Sequence, residues 1–262
     1  MGLVTLERVE HVVRWLEAHV RSYDFDVIGL ARRHGRPPYP LPTEPGALAN
    51  ILETTAVRLL TEQLARDPTS VQVRKGTERK YPDMELYGGV LGDRLVALDV
   101  KVARRAKAPA RLGAERRTQS RITLLTGNTY FAHPDEPHAS IMRPYNAYWV
   151  HIDWIMLFDI DAEAEMPEVS NVEHVIAETW QVASRQRSSE TRNYIGAVNA
   201  LSALREKQGD FGTRDEFEHF WRREYVGWRE TPGLMERRAR YRTQAELGLD
   251  APARQEEEGP PE

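Results

Sequence analysis

Cysteine is absent from this sequence of 262 residues, which excludes disulfide bonds and zinc sites built on thiolates. Long apolar runs are absent too. The most apolar stretch, residues 149–160, contains Asp153 and Asp159 and falls well short of the ~20 residues that a membrane helix needs. Residues 1–22 do not resemble a secretory signal, because they include Glu7, Arg8, Glu10 and Arg14. We therefore expect a cytoplasmic protein without a membrane partner.

An excess of positive charge is also missing, because the formal net charge is -4. This argues at first against a nucleic-acid partner, but the distribution of charge matters more than the sum. Residues 104–121 carry seven basic side chains and one acidic one, which indicates either a solvated loop or contact with phosphates. Residues 246–262 end in a run of acidic residues, and we expect them to form a disordered tail. Residues 1–245 are predicted to form a single domain.

Two runs rich in β-formers, residues 82–87 and 95–102, flank a glycine-rich turn and predict an antiparallel hairpin. The centre of the turn lies midway between Asp83 and Asp99. These carboxylates should face each other at roughly 5 Å between their Cβ atoms, where like charges repel. Lys101 leaves the same face of its strand two residues later.

Two opposed carboxylates beside an ammonium group are poor packing chemistry unless a divalent cation lies between them. A Pro-Asp pair or an Asp-x-Lys triplet alone is common and open to an ordinary structural interpretation. Together, they predict a metal-dependent phosphodiesterase centre. Mg²⁺ prefers oxygen ligands, and a bound metal acidifies its water and stabilises developing negative charge. Lys101 is equally able to orient the water, deprotonate it or neutralise a phosphate.

The rest of the chain alternates helical and strand patterns. Apolar spacing predicts helices over residues 3–22 and from 47 to about 65, the second carrying Glu53, which alone would be an ordinary surface residue. The remaining predictions are short strands at 71–73 and 122–125, a turn at 126–129, a buried strand or helix within 145–160, a strand around 177–182, a helix over 195–204 and a capped helix start at Thr213.

Two loops, residues 75–80 and 184–194, are predicted to contact DNA. The first leads directly into Asp83 and is rich in cations, which attract a phosphate backbone. The second combines arginines with amide and hydroxyl side chains, the groups that read base edges. With the basic segment after Lys101, the candidate DNA-binding residues are Lys75, Thr77, Arg79, Lys80, Arg104, Arg105, Arg185, Arg187, Ser189, Thr191, Arg192 and Asn193.

The set Tyr81-Pro82-Asp83 followed by Asp99-Val100-Lys101 resembles the PD-(D/E)XK nuclease superfamily. More narrowly, the chain is similar to type II restriction endonucleases of the EcoRV type over about residues 35–225. That similarity is carried by Tyr39-Pro40-Leu41 ahead of the helix with Glu53, by Leu86-Tyr87, and by Asp215-Glu216-Phe217 with Phe220-Trp221.

The resemblance implies an α/β (α+β) restriction-endonuclease-like fold, with a central mixed β-sheet flanked by helices. It implies a homodimeric, Mg²⁺-dependent endonuclease that cuts double-stranded DNA at a palindromic site and leaves blunt ends. Asp83, Asp99 and Glu53 would bind the metal and, with Lys101, form the catalytic set. A cognate DNA methyltransferase is expected in the same system, not as a bound subunit. The alternatives are a repair or structure-specific nuclease and a non-catalytic DNA-binding module.

Overall fold

Helices and strands follow one another along the whole described part of the chain. The computed structural model describes residues 5–21, 23, 40–77, 80–107, 111, 113–161, 163–165, 167–187 and 194–226. The helices are α1 Val9–Val20, α2 Pro45–Leu64, α3 Gly127–Ala132, α4 Thr179–Val182, α5 Leu201–Arg205 and α6 Arg214–Val226. The strands are β1 Gln72–Lys75, β2 Met84–Tyr87, β3 Val96–Arg104, β4 Thr123–Thr126, β5 Val150–Ile160, β6 Val169–Glu178, β7 Ala183–Arg187 and β8 Tyr194–Ala197.

A five-stranded mixed sheet in the order β1-β2-β3-β5-β6 forms the centre of the molecule. The pair β3–β5 is parallel, whereas β1–β2, β2–β3 and β5–β6 are antiparallel. Strands β4, β8 and β7 form a second, smaller sheet. Helices pack on the central sheet, so the predicted mixed α+β architecture, a central mixed sheet flanked by helices, is confirmed.

Strands β3 and β5 are buried on both faces because each face meets its own hydrophobic cluster. On one face, Trp154 and Val100 pack with the apolar stripe of α2, whose buried residues recur about every four positions. On the other face, Ile155 and Ala103 pack with residues of α3 and α6. Polar side chains on the second face of β3 and β5 are therefore enclosed by protein.

Most long elements agree with the sequence predictions. Helix α1 falls within its predicted range, α2 begins two residues before its predicted start, and β2 and β3 form the predicted antiparallel pair. The stretch within 145–160 contains the strand β5. Thr213 accepts a hydrogen bond from the backbone N–H of Glu216 at 3.1 Å, which confirms the predicted start of α6. Among the described residues, no helix is long and apolar enough to cross a membrane.

Three local predictions are wrong. The segment 126–129 is not a turn, because Gly127 opens α3; a Cβ atom there would lie 2.5 Å from the Tyr225 ring, so the glycine permits close helix packing. The strand predicted around 177–182 ends at Glu178, where a capping box with Gln181 begins α4. The start of the helix predicted over 195–204 is instead the strand β8, which pairs with β4 and β7.

Candidate active site

The hairpin brings Asp83 and Asp99 together as predicted. Met84 pairs with Leu98 and Leu86 with Val96, and the same register continued by one residue sets Asp83 opposite Asp99. The backbone N–H of Asp83 donates to Asp99 Oδ1 at 3.2 Å. The two acidic residues are therefore directly linked at the end of the β2–β3 ladder.

The unequal lengths of the two strands explain why carboxylates collect here. Strand β2 begins at Met84, whereas β3 continues to Arg104, so the far end of β3 lacks a strand partner on that side. The N–H of Val100 instead donates to Asp83 Oδ2 at 2.7 Å. The N–H of Val102 donates a hydrogen bond to the carboxylate of Glu53, which lies on α2. Two side-chain carboxylates thus replace the missing strand and are fixed by backbone N–H groups.

Lys101 forms an ion pair with Asp99 Oδ2. Burial opposes its charge, but the carboxylates of Asp99, Asp83 and Asp153 outweigh burial and hold the pKa of Lys101 above its ordinary value. The ammonium group is consequently protonated at neutral pH. In this arrangement Lys101 is a hydrogen-bond donor and a positive charge, which disfavours the role of proton acceptor that the sequence left open.

Asp153 is a fourth acidic residue in this group, and the sequence analysis did not place it there. In the parallel pair β3–β5, Asp153 is the register partner of Asp99, so both side chains leave the same face of the sheet. Asp153 is fully buried. The signal in the sequence is an acidic residue flanked by Ile152 and Trp154 in a mostly apolar strand.

Burial raises the pKa of three of these carboxyl groups, and Lys101 opposes the rise in each case. The pKa of Glu53 rises to about 7, with a further contribution from Asp83. The pKa of Asp153 rises to about 6. The pKa of Asp99 lies well above its usual value, with Asp83 and Asp153 adding to the effect of burial. Among the described residues, one ammonium group faces these four carboxyl groups, so the site at neutral pH requires protons or an additional cation.

The donor set fits a hard divalent cation, because every candidate ligand is a carboxylate oxygen. Within the described part of the chain, both oxygens of the buried Asp153 carboxyl lack a hydrogen-bond partner, and its negative charge is offset only in part by Lys101. Throughout the described ranges, no three acidic or histidine side chains stand close enough to form a complete metal cage. A cation bound here would therefore keep water among its ligands, as Mg²⁺ commonly does.

Comparison with known proteins places the sequence in a family. The chain matches the family described as restriction endonuclease EcoRV over residues 21–232, a range that includes Glu53, Asp83, Asp99 and Lys101. The chain belongs to the EcoRV restriction endonuclease family. No curated protein matches the sequence. Membership in this family identifies the protein as a nuclease, which is a hydrolase that acts on DNA.

The raised pKa of Glu53 predicts how the stability of the endonuclease depends on pH. An acid whose pKa is higher in the folded state stabilises the fold at low pH, and that contribution is lost as pH rises through the folded-state value. Glu53→Gln removes this titration while keeping an acceptor for the Val102 N–H. In the presence of EDTA, the mutant should gain about 2–3 kcal/mol of unfolding free energy relative to wild type between pH 5 and pH 8.

Urea unfolding at a series of pH values measures this difference. Glu62→Gln is the matched control, because Glu62 is exposed on the same helix. Its ion pair is with Arg58, one helical turn earlier. Its difference from wild type should not vary with pH by more than a few tenths of a kcal/mol. A Glu53→Gln difference that is equally flat would contradict the proposed burial of this carboxyl.

The loop that precedes Asp83 presents candidate DNA contacts beside the site. Lys75, Thr77 and Lys80 are exposed, and Arg79 lies outside the described residues. The N–H of Gly76 donates to the Asp83 carbonyl at 2.7 Å, which ties this loop to the catalytic strand. A phosphate bound by the loop would therefore be held at a fixed position relative to Asp83.

Arg104 and Arg105, the two candidate DNA contacts that follow Lys101, both donate hydrogen bonds to groups within the protein. Arg105 is buried and donates to Glu173 at 2.9 Å and to the Asn171 carbonyl at 2.7 Å. Its predicted role as a DNA contact is corrected, because this guanidinium stabilises the turn region of β5 and β6 instead. Arg104 is less buried and donates to the Ile160 carbonyl at 3.0 Å, which leaves it at the end of the sheet.

The segment 184–194, predicted as a loop, is partly strand. Residues 184–187 belong to β7, where Arg185 donates to the Asp210 carbonyl at 3.2 Å, pairs with Glu216 and remains exposed. Arg187 ends the strand. The other candidates of this segment, Ser189, Thr191, Arg192 and Asn193, lie outside the described residues, as does the predicted acidic tail at 246–262.

Proposed function

We propose that the protein is a type II restriction endonuclease that hydrolyses phosphodiester bonds of double-stranded DNA at a specific palindromic site and leaves blunt ends. Mg²⁺ is the proposed cofactor. The observation that carries the proposal is the linked set of Asp83, Asp99 and Lys101 at an open strand edge, in a chain of the EcoRV family. The cellular setting is the cytoplasm, where a cognate DNA methyltransferase protects the host sites.

Asp83 and Asp99 would hold the metal, and Glu53 would serve as a further acidic group. When bound, Mg²⁺ would acidify its water and offset the negative charge that develops on the phosphate. Lys101, held protonated by its neighbours, would donate a hydrogen bond to a phosphate oxygen or to the attacking water. The carboxylates remain fixed by backbone N–H groups, so little reorganisation is needed during the reaction.

DNA would be steered by exposed cations beside the site. Lys75, Lys80 and Thr77 suit contact with the phosphate backbone, and the segment 184–194 suits reading of base edges. A homodimer fits a palindromic site because each subunit reads one half of the sequence. Among the described candidates, Arg104 and Arg185 complete the proposed interface, and Arg105 is left out because it is buried.

A purely DNA-binding module is disfavoured by the cost of the acidic centre. Buried carboxylates with incomplete pairing destabilise a fold, and they would repel the phosphates that such a module must bind. The same groups are useful in a hydrolase that takes up a divalent cation. Several carboxyl groups that share the single described ammonium group of Lys101 therefore favour an enzyme over a scaffold.

Mapping the ends of cleaved plasmid DNA tests the proposal. Purified protein with Mg²⁺ should yield discrete fragments whose sequenced ends share one palindrome and whose strands are cut at the same position. EDTA should abolish cleavage. A smear of fragments, or a strong preference for branched over linear duplex, would favour a repair or structure-specific nuclease. No cleavage with any divalent cation, on DNA rich in unmethylated sequence, would contradict the enzymatic proposal.

A further inference from the structure

Asp153 is a fully buried carboxyl group, and no described residue forms a hydrogen bond of normal geometry with either of its oxygens. The Thr179 hydroxyl lies near enough to favour its ionised form, yet this hydroxyl donates to the His151 carbonyl at 3.4 Å. Throughout the part of the chain that the structure describes, Oδ1 and Oδ2 of Asp153 therefore have no hydrogen bond of normal geometry. Buried carboxylates are otherwise paired or bound to cations in folded proteins.

The direction of the Asp153 side chain follows from the parallel register of β3 and β5. Register partners on neighbouring strands lie about 4.8 Å apart and point to the same face. Asp153 is the partner of Asp99, and its charge acts on Lys101 and Asp99. The carboxyl therefore points into the acidic centre from the side opposite to the one that Asp83 occupies.

Packing alone gives no reason for an acid at this position. The residues before and after it on β5, Ile152 and Trp154, are fully buried and apolar, as is Ile155 one step further. Asp99 already provides the ion-pair partner of Lys101. An apolar residue of similar size would fill the space without the penalty of an unpaired buried charge.

We propose that Asp153 is a further residue of the divalent-cation site and holds the cation through its bound waters. This inference rests on the proposed metal-dependent function. Mg²⁺ retains several waters, and the described side chains do not complete a cage by themselves. Carboxylates that bind such waters typically change metal affinity by about 10–100-fold when they are removed.

Binding of Mn²⁺ to the free protein, followed by electron paramagnetic resonance, tests the inference without relying on cleavage. Asp153→Asn keeps the shape of the side chain and removes its charge, so Mn²⁺ affinity should fall by about 10–100-fold. Asp159→Asn is the matched control, because Asp159 lies on the same strand but is paired with Arg116 at 2.6 Å. Its affinity should equal that of wild type.

Thermal unfolding in EDTA supplies a second readout. Asp153→Asn and Asp153→Leu both remove an unpaired buried charge, so the metal-free melting temperature should rise by about 2 °C or more in at least one of them. If both variants are folded and bind Mn²⁺ as tightly as wild type, the inference is wrong. If Asp99→Asn also leaves Mn²⁺ binding unchanged, the proposed metal centre fails with it, and the two failures are thereby distinguished.

Discussion

Asp99→Asn should lower the rate of Mg²⁺-dependent DNA cleavage by about 1,000-fold or more. Asparagine keeps an oxygen that can accept the N–H of Asp83, so the hairpin edge remains closed. The substitution removes the negative charge that would hold the cation beside the scissile phosphate, and metal-derived charge stabilisation is worth several kcal/mol. Initial cleavage rates on a plasmid, measured under single-turnover conditions, give this factor.

Binding should respond differently from cleavage in the same variant. With Ca²⁺ in place of Mg²⁺, Asp99→Asn should still retain a labelled duplex in a gel-shift assay, because the proposed DNA contacts lie on other segments. Asp159→Asn serves as the control for a general effect of losing a carboxylate from the sheet and should cut at nearly the wild-type rate. Wild-type cleavage by Asp99→Asn would remove this residue from the mechanism.

Lys101→Met should have two separable effects. Cleavage should fall by about 100-fold to 10,000-fold. The substitution removes a hydrogen-bond donor, since among the described residues Lys101 supplies the one ammonium group next to the four carboxyl groups. Stability in EDTA should also fall by about 3–5 kcal/mol, since the buried Asp99 loses its ion-pair partner. Mg²⁺ should then raise the melting temperature of the mutant more than that of wild type, because the cation replaces the missing positive charge.

Lys101→Arg separates charge from shape. Arginine keeps the positive charge but is planar and larger, so the stability in EDTA should be closer to wild type while cleavage stays reduced at least tenfold. Differential scanning calorimetry with and without Mg²⁺, run beside cleavage assays, measures both effects. A Lys101→Met protein that cuts normally, or whose melting temperature Mg²⁺ raises no more than that of wild type, would contradict the account.

The hairpin site could be predicted from sequence because it is local. A single short connection, residues 88–95, joins β2 to β3, and the register of this pair determines that Asp83 faces Asp99. Glu53 could be added only through the family resemblance, because its contact with the end of β3 depends on how α2 crosses the sheet. Local pairing is therefore readable from one chain, whereas helix placement is not.

The positions of Asp153 and Arg105, in contrast, could not be predicted from the local sequence. The pairing of β3 with β5 joins segments far apart in the chain, and no short-range pattern reveals that Asp153 lies beside Asp99. Arg105 follows a basic run that suggests phosphate contact, but Glu173 and Asn171 on β6 occupy it. The polar residues of β7 lacked the alternation that indicates a strand. In each case tertiary packing decides between interpretations that the local sequence allows equally.

The central claim is that Asp83 and Asp99 together bind one divalent cation. Anomalous diffraction from crystals soaked in Mn²⁺ tests it directly, because the manganese signal locates the ion independently of the protein density. The account predicts a peak about 2.0–2.4 Å from a carboxylate oxygen of each residue, and no such peak in Asp99→Asn crystals. The claim would be contradicted if the protein cleaves DNA with Mn²⁺ in solution but its soaked crystals show no peak between these two carboxylates.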